Sequence, residues 1–255
     1  MKIKKILLWG GLSLVLVLIV GLLVVALFLD GIVKTGVNTV GPKIVQVPLT
    51  LDSIHIGILS GSAKVQGLVI GNPDGYKTPN AISVGLAEVS VDIGSALSDK
   101  IIIHSVHVES PEITFEGGLS GNNLSKIVDN LNATAASFQG TASPATNAPA
   151  AAAKPAKKIE VDDFLISGAK IHVTLTGLGG KTMDLPLPDI HLTDLGKGSD
   201  GMTPAELVSQ VIKAITTSTV HEVTVAVSGL GKDAGKAATG AVNKITSGLG
   251  GLFNK

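Results

Sequence analysis

His104 and His107, with Glu109 close behind, are the densest set of potential metal ligands in the sequence. A metal centre needs three or four such groups converging on one point. In a regular strand, positions 104 and 107 face opposite sides, so the expectation is that the two histidines do not share an ion. His107 and Glu109 share a face, but two ligands do not make a site. Asp162 and Asp163 are the pair that general acid–base chemistry would need. Neighbours in a strand point apart, so these read as the solvated entrance of a strand. His55, His172, His191 and His221 stand alone, and no role is assigned to them. No serine has a recognisable nucleophile setting. No phosphate loop of the form Gly-x4-Gly-Lys-Ser/Thr occurs. There is no Cys, which excludes a thiol nucleophile, a disulfide framework and a thiolate-held metal. The expectation is a protein with no catalytic, cofactor-binding or metal site, and not an enzyme.

Composition narrows the partners in the same direction. All 20 basic residues are Lys, there are 20 acidic residues, and the formal net charge is zero. Long-range steering of nucleic acid is not indicated, and no nucleic-acid partner is expected. Arg, the residue suited to bidentate phosphate or carboxylate recognition, is absent. Aromatic residues make up 3% of the chain, too few for stacking platforms.

The elements that would hold any site begin with an apolar run. From Ile6 to Leu29 there is no charge and one hydroxyl, Ser13, and 18 of the residues are Leu, Ile, Val or Phe. As a helix the run would span about 36 Å, against a hydrocarbon core of roughly 30 Å. It is too long for a signal-peptide core and ends in Ala26-Leu27-Phe28-Leu29-Asp30 with no small-residue cleavage site. Residues 6–29 are therefore expected to form a transmembrane helix. Lys2, Lys4 and Lys5 precede it, and Lys34 and Lys43 follow. That bias keeps residues 1–5 in the cytoplasm and exports the remainder. In a cell with two membranes, the expected location is the inner membrane, single-pass, with a periplasmic C-terminal domain and membrane lipids as partners.

Residues 31–41 are expected to continue the helix, limited by Gly36 and Gly41-Pro42. A first β-rich half then fills residues 30–132. Val45, Val47, Leu49 and Leu51 alternate as in a strand, and the phase slips to Ile54, Ile56 and Ile58, which predicts a bulge or bend near Asp52-Ser53. Further strands are expected at Ala63 to Ile70, Ala81 to Ile93 (again with a slip) and Ile101 to Glu109. Ser110-Pro111-Glu112 breaks the last, and Ile113 to Glu116 resumes it. A short helix should run from about Asn122 to Asn132. Residues 133–158, rich in Ala, Pro and Thr, read as a low-complexity linker. A second β-rich half, 159–228, opens with a weak internal repeat: Val108 corresponds to Ile166, Ile113 to Ile171 and Phe115 to Val173. Pro186 and Pro188 confine their strand to an edge. Thr203-Pro204-Ala205-Glu206 is a capping-box helix start, with the helix over about 204–219. Residues 229–255 read as a Gly/Ala-rich amphipathic tail, a marginal helix with three open placements: on the sheet, on a membrane surface, or disordered. The expected fold class is mainly β with a few helices (α+β). Its core is a curved, mostly antiparallel sheet, groove- or half-barrel-like, with helices at its edge or face.

Several segments then carry a resemblance. Val47-Pro48-Leu49-Thr50-Leu51, Leu59 through Tyr76 with its Gly71-Asn72-Pro73-Asp74-Gly75 turn, Ser110-Pro111-Glu112-Ile113-Thr114-Phe115-Glu116 and Gly121-Asn122-Asn123-Leu124, behind an N-terminal anchor, resemble the AsmA-like proteins of bacterial envelopes. The likeness covers residues 1–132 well and 159–215 more loosely. It implies an inner-membrane anchor, a periplasmic β-rich domain, and kinship with lipid-transfer proteins whose curved sheets form an apolar groove. Two functional expectations follow. One is a lipid-binding or lipid-transferring module that supports the outer envelope. The other is a structural or protein-interaction module whose helices cover its own sheet and leave no ligand space.

Overall fold

A computed structural model describes residues 28–118, 121–140, 157–175, 181–198 and 200–250. The chain is α+β, with a mostly β core. A helix over residues 28–45, α1, leads into β1 (Leu49–Gly57), β2 (Ser62–Gly71) and β3 (Asn80–Val91). A short 3-10 helix, Ile93–Leu97, connects to β4 (Lys100–Glu109), β5 (Glu112–Gly118) and β6 (Gly121–Asn122). Next come α2 (Asn123–Gly140), β7 (Lys158–Ser167), β8 (Lys170–Leu175), β9 (Lys181–Pro186), β10 (Ile190–Leu195) and α3 (Pro204–Gly250). The predicted span 6–29 lies outside the described residues up to Leu27; Phe28 and Leu29 are helical at the start of α1. Among the described residues, no helix is long and apolar enough to cross a membrane.

All ten strands join one sheet. β4 and β5 run end to end along one flank of β3. β7 and β8 run end to end beside them, in parallel. β9 and β10 run end to end on the far side, antiparallel. With β1 and β2 paired onto the other flank of β3, the sheet has six long rows. The predicted repeat is the parallel seam itself. Val108 pairs with Ile166, Ile113 with Ile171 and Phe115 with Val173. β9, with Pro186 at its end, is an edge strand as expected.

One line crosses all six rows. In each row two successive residues sit between buried or half-buried apolar positions and face outward. They are Asp52-Ser53, Gln66-Gly67, Gly85-Leu86, Glu109-Ser110, Ser167-Gly168 and Pro188-Asp189. The inward set changes parity there, for example from Leu51 to Ile54 in β1 and from Ile166 to Ala169 in the β7–β8 row. Register is unchanged on either side of the line: Leu51 faces Leu68 and Ser53 faces Gln66. A bulge in one strand shifts its register. Here every row carries the same extra outward residue, so the shifts cancel and the sheet is creased as a whole. Gly67, Ser110 and Gly168 take positive φ (64°, 46° and 65°), which rotates the following side chain to the other face. The slip predicted in β1 is therefore present as part of this crease, not as a local bulge.

α2 and α3 pack on one face. α2 lies over β5 and β6, with Leu124, Ile127 and Leu131 buried in the same core cluster as Ile113, Phe115, Ile171 and Val173. α3 lies over β7 and β10 and then against α2, with Ile212, Ile215 and Val223 buried. Asn122 caps α2 by accepting from the Ser125 amide. The predicted capping box starts α3: Thr203 Oγ1 accepts from the Glu206 amide, and Glu206 Oε2 accepts from the Thr203 amide.

Three boundaries differ from expectation. Val45 ends α1, and Gln46 turns the chain with φ of 55°, so the strand begins at Leu49. Val45 and Val47 are buried anyway, which is why their spacing resembled a strand. α2 continues through Gly140 into the expected linker, because Ala133, Ala135 and Ala136 favour helix. α3 continues past Thr219 to Gly250, because Val220, Val223 and Val227 extend its apolar stripe.

Candidate functional site

The outer face holds the residues whose types suggest chemistry. Val161 and Phe164 are both buried, so Asp162 and Asp163 both point outward, against the expectation that they point apart. His104 is the extra residue of a bulge in β4, where Ser90 faces Ser105 and Val91 faces Ile103. The bulge puts His104 on the same outer face as His107, again contrary to the sequence reading. The groups nevertheless disperse into separate pairs, apart from His172, whose Nε2 also lies 4.0 Å from Glu112. His104 Nδ1 lies 3.1 Å from Asp162, His107 Nε2 lies 2.8 Å from Ser167 Oγ, and His191 meets Asp163. His172 Nδ1 lies 2.8 Å from Asp184, and His55 Nδ1 lies 3.3 Å from Asp30. Among the described residues, no three His, Asp or Glu side chains gather as a metal would require.

A buried polar knot, invisible from the sequence, lies at the end of the sheet beyond the crease. Glu116 is buried and accepts from the Lys77 amide (2.8 Å), the Thr78 amide (2.8 Å) and the Thr78 hydroxyl (2.6 Å). Burial alone would raise its pKa. These hydrogen bonds, with the Lys77 charge, hold it below the ordinary glutamate value. Asn123 Oδ1 accepts from the Glu116 amide, and its Nδ2 donates to Asn72 Oδ1 and to the Thr114 carbonyl. Asn72 Nδ2 in turn donates to Thr78. Both Glu116 carboxylate oxygens fasten the β2–β3 loop to β5, and Asn123 ties α2 to both, so the knot is a latch. Its partners lie 38 and 39 residues apart, beyond any spacing motif.

The inner face divides at the crease. On the α2 side it is sealed: Ile82, Ile113, Phe115, Ile171 and Val173 are all buried. On the other side, Ala87 and Val108 next to the crease are still buried and Val65, Ile103 and Val106 pack against the core, but farther out under β1 to β4, Ile54, Ile56, Ala63, Val89, Val91 and Ile101 are half-buried and lie outside the main core. Cross-strand pairs join them into a continuous apolar floor: Ile56 faces Ala63, and Ala63 faces Val89. α3 flanks this floor over β7 and β10.

α1 flanks it on the opposite side, along the free edge of β1. Asn38 Oδ1 accepts from the Leu51 amide at 2.6 Å, and its Nδ2 donates to the Leu51 carbonyl at 3.2 Å. Asp30 Oδ1 accepts from the Ile56 amide at 2.9 Å. Two side chains thus occupy edge groups that would otherwise invite another strand. The isolated glycines in strand patterns, Gly67 and Gly85, are the sequence signal that could have located the boundary of this floor.

The fold and this surface define a creased, helix-flanked α+β sheet with a polar outer face and a half-sealed apolar inner face. Comparison with family models, curated proteins and solved structures found no match.

Proposed function

We propose that this is a non-enzymatic, membrane-anchored envelope protein of the AsmA-like type that holds lipid acyl chains on the open half of its inner sheet face. The observation that carries the reading is the half-buried floor of Ile54, Ile56, Ala63, Val89 and Val91, flanked by α1 and α3. A dry core would have buried these side chains, as it does across the crease at Ile113 and Phe115. Apolar surface of this kind is stabilised by roughly 25 cal/mol per Å² when an apolar ligand covers it. The uncharged run 6–29 supports insertion as a transmembrane helix, with α1 continuing from it directly onto the edge of β1. Residues 1–5 would face the cytoplasm and the sheet would face the periplasm, beside the inner membrane.

The alternative, a structural module that covers its own sheet, is favoured by one observation, the complete burial under α2. Native mass spectrometry of the full chain, released from micelles after phospholipid is added, separates the two. The lipid reading predicts retained phospholipid that Val89→Glu abolishes. Phospholipid retained equally by Val89→Glu, or not retained at all, contradicts it.

A further inference from the structure

The end of the sheet from which α1 starts carries exposed apolar side chains. Leu59, in the β1–β2 turn, is 86% exposed, and Leu97, at the end of the 3-10 helix, is 95% exposed. Ile93 and Phe28 are exposed as well. These positions are neighbours in the fold. The Val91 amide donates to the Gly61 carbonyl, which ties the 3-10 segment to the β1–β2 turn. Asp30 binds the Ile56 amide, which sets the start of α1 level with that turn. α1 runs antiparallel to β1, with Asn38 at Leu51 and Asp30 at Ile56, so the chain preceding Phe28 departs from this same end. That preceding chain is the uncharged run beginning at Ile6.

We infer that this rim, Leu59, Ile93 and Leu97, inserts into the headgroup–acyl boundary of the same bilayer that holds residues 6–29. The inference rests on the anchor proposed above and adds a second, peripheral contact that fixes the tilt of the sheet on the membrane. Leu and Ile are the side chains that such a boundary takes up. Charge at this end is mixed: Lys100 pairs with Glu160, Lys197 pairs with Asp194, and Lys157 donates to the Ala96 carbonyl. The contact is therefore apolar, and salt should weaken it little. It also sets the open half of the inner face, the half nearer this rim, beside the lipid it would take up.

The absence of Cys makes the test clean. Single substitutions Leu59→Cys, Leu97→Cys, Asp74→Cys and Leu16→Cys are labelled with an environment-sensitive fluorophore. Each full chain is reconstituted in phosphatidylethanolamine–phosphatidylglycerol vesicles with and without brominated acyl chains. Asp74 lies in the β2–β3 loop, across the crease from the rim. The inference predicts bromine quenching at positions 16, 59 and 97, unchanged by added salt, and none at 74. Quenching at 16 but not at 59 or 97 overturns the inference and leaves the anchor standing. No quenching at 16 overturns the anchor as well.

Discussion

Gly67 stands directly across from Asp52, so close that a Cβ on Gly67 would lie 2.7 Å from the Asp52 Cβ. The same glycine has φ of 64°, a region costly to any residue with a side chain. Gly67→Ala should therefore destabilise the fold by about 1–3 kcal/mol. Gly85 lies on the same crease in the adjacent row, with ordinary φ and open space around its Cβ position. Gly85→Ala should change stability by no more than about 0.5 kcal/mol. Denaturant melts of the two detergent-solubilised variants check the contrast. Equal effects would mean that the crease is not held at Gly67.

Asn38 is the main clasp between α1 and the sheet edge. Asn38→Ala leaves the Leu51 amide and carbonyl without their partner, at a cost of about 1–3 kcal/mol if water does not replace it. Hydrogen exchange at the Leu51 amide should accelerate while exchange at Ile113, across the crease, stays slow. Unchanged protection at Leu51 would show that α1 does not guard this edge.

The Glu116 latch gives stability an acid limb. Its carboxyl is held below the ordinary glutamate value of 4.5 in the folded chain. A depressed folded value contributes stability that is fully present above the unfolded pKa. That contribution is lost as pH falls from the unfolded pKa through the folded one. Glu206, lowered by its hydrogen bonds from Thr203, adds to the same window. Glu116→Gln should flatten this limb in part and loosen the β2–β3 loop. Melts from neutral to acid pH measure it, and an unaltered slope in the variant would contradict the latch.

Much of the fold was legible where neighbouring residues carry it. Val108, Ile113 and Phe115 matched Ile166, Ile171 and Val173 because paired positions in a parallel seam face the same core and so need similar side chains. The slip between Leu51 and Ile54 marked the crease in β1. The slip in Ala81 to Ile93 and the break at Ser110 marked it in two further rows, but their alignment into one line across six rows was hidden, because the aligned residues are far apart in sequence and chemically unlike, among them Gly67, Gly85, Ser110 and Gly168. Treating β4 and β7 as regular strands misdirected His104 and Asp163, since β4 carries an extra outward residue at His104 and β7 follows it in register, with Val161 beside Ile103 and Asp163 beside Ser105. The expected end of α3 at Thr219 falls short because Val220, Val223 and Val227 carry its packed stripe further, with Thr219 and Val223 both buried on it. The Glu116 latch and the Asn38 clasp join residues that only the folded topology brings together.

The central claim is that the open half of the inner face receives acyl chains, and site-specific photo-crosslinking tests it most directly. A photoreactive amino acid is placed at Val89 or Ile54, whose side chains face inward, and at their neighbours Glu88 and His55, which face outward. Irradiating cells that express the full chain should give lipid adducts at Val89 and Ile54 and none at Glu88 or His55. Absence of lipid at Val89 and Ile54, or equal labelling of all four positions, would contradict the account.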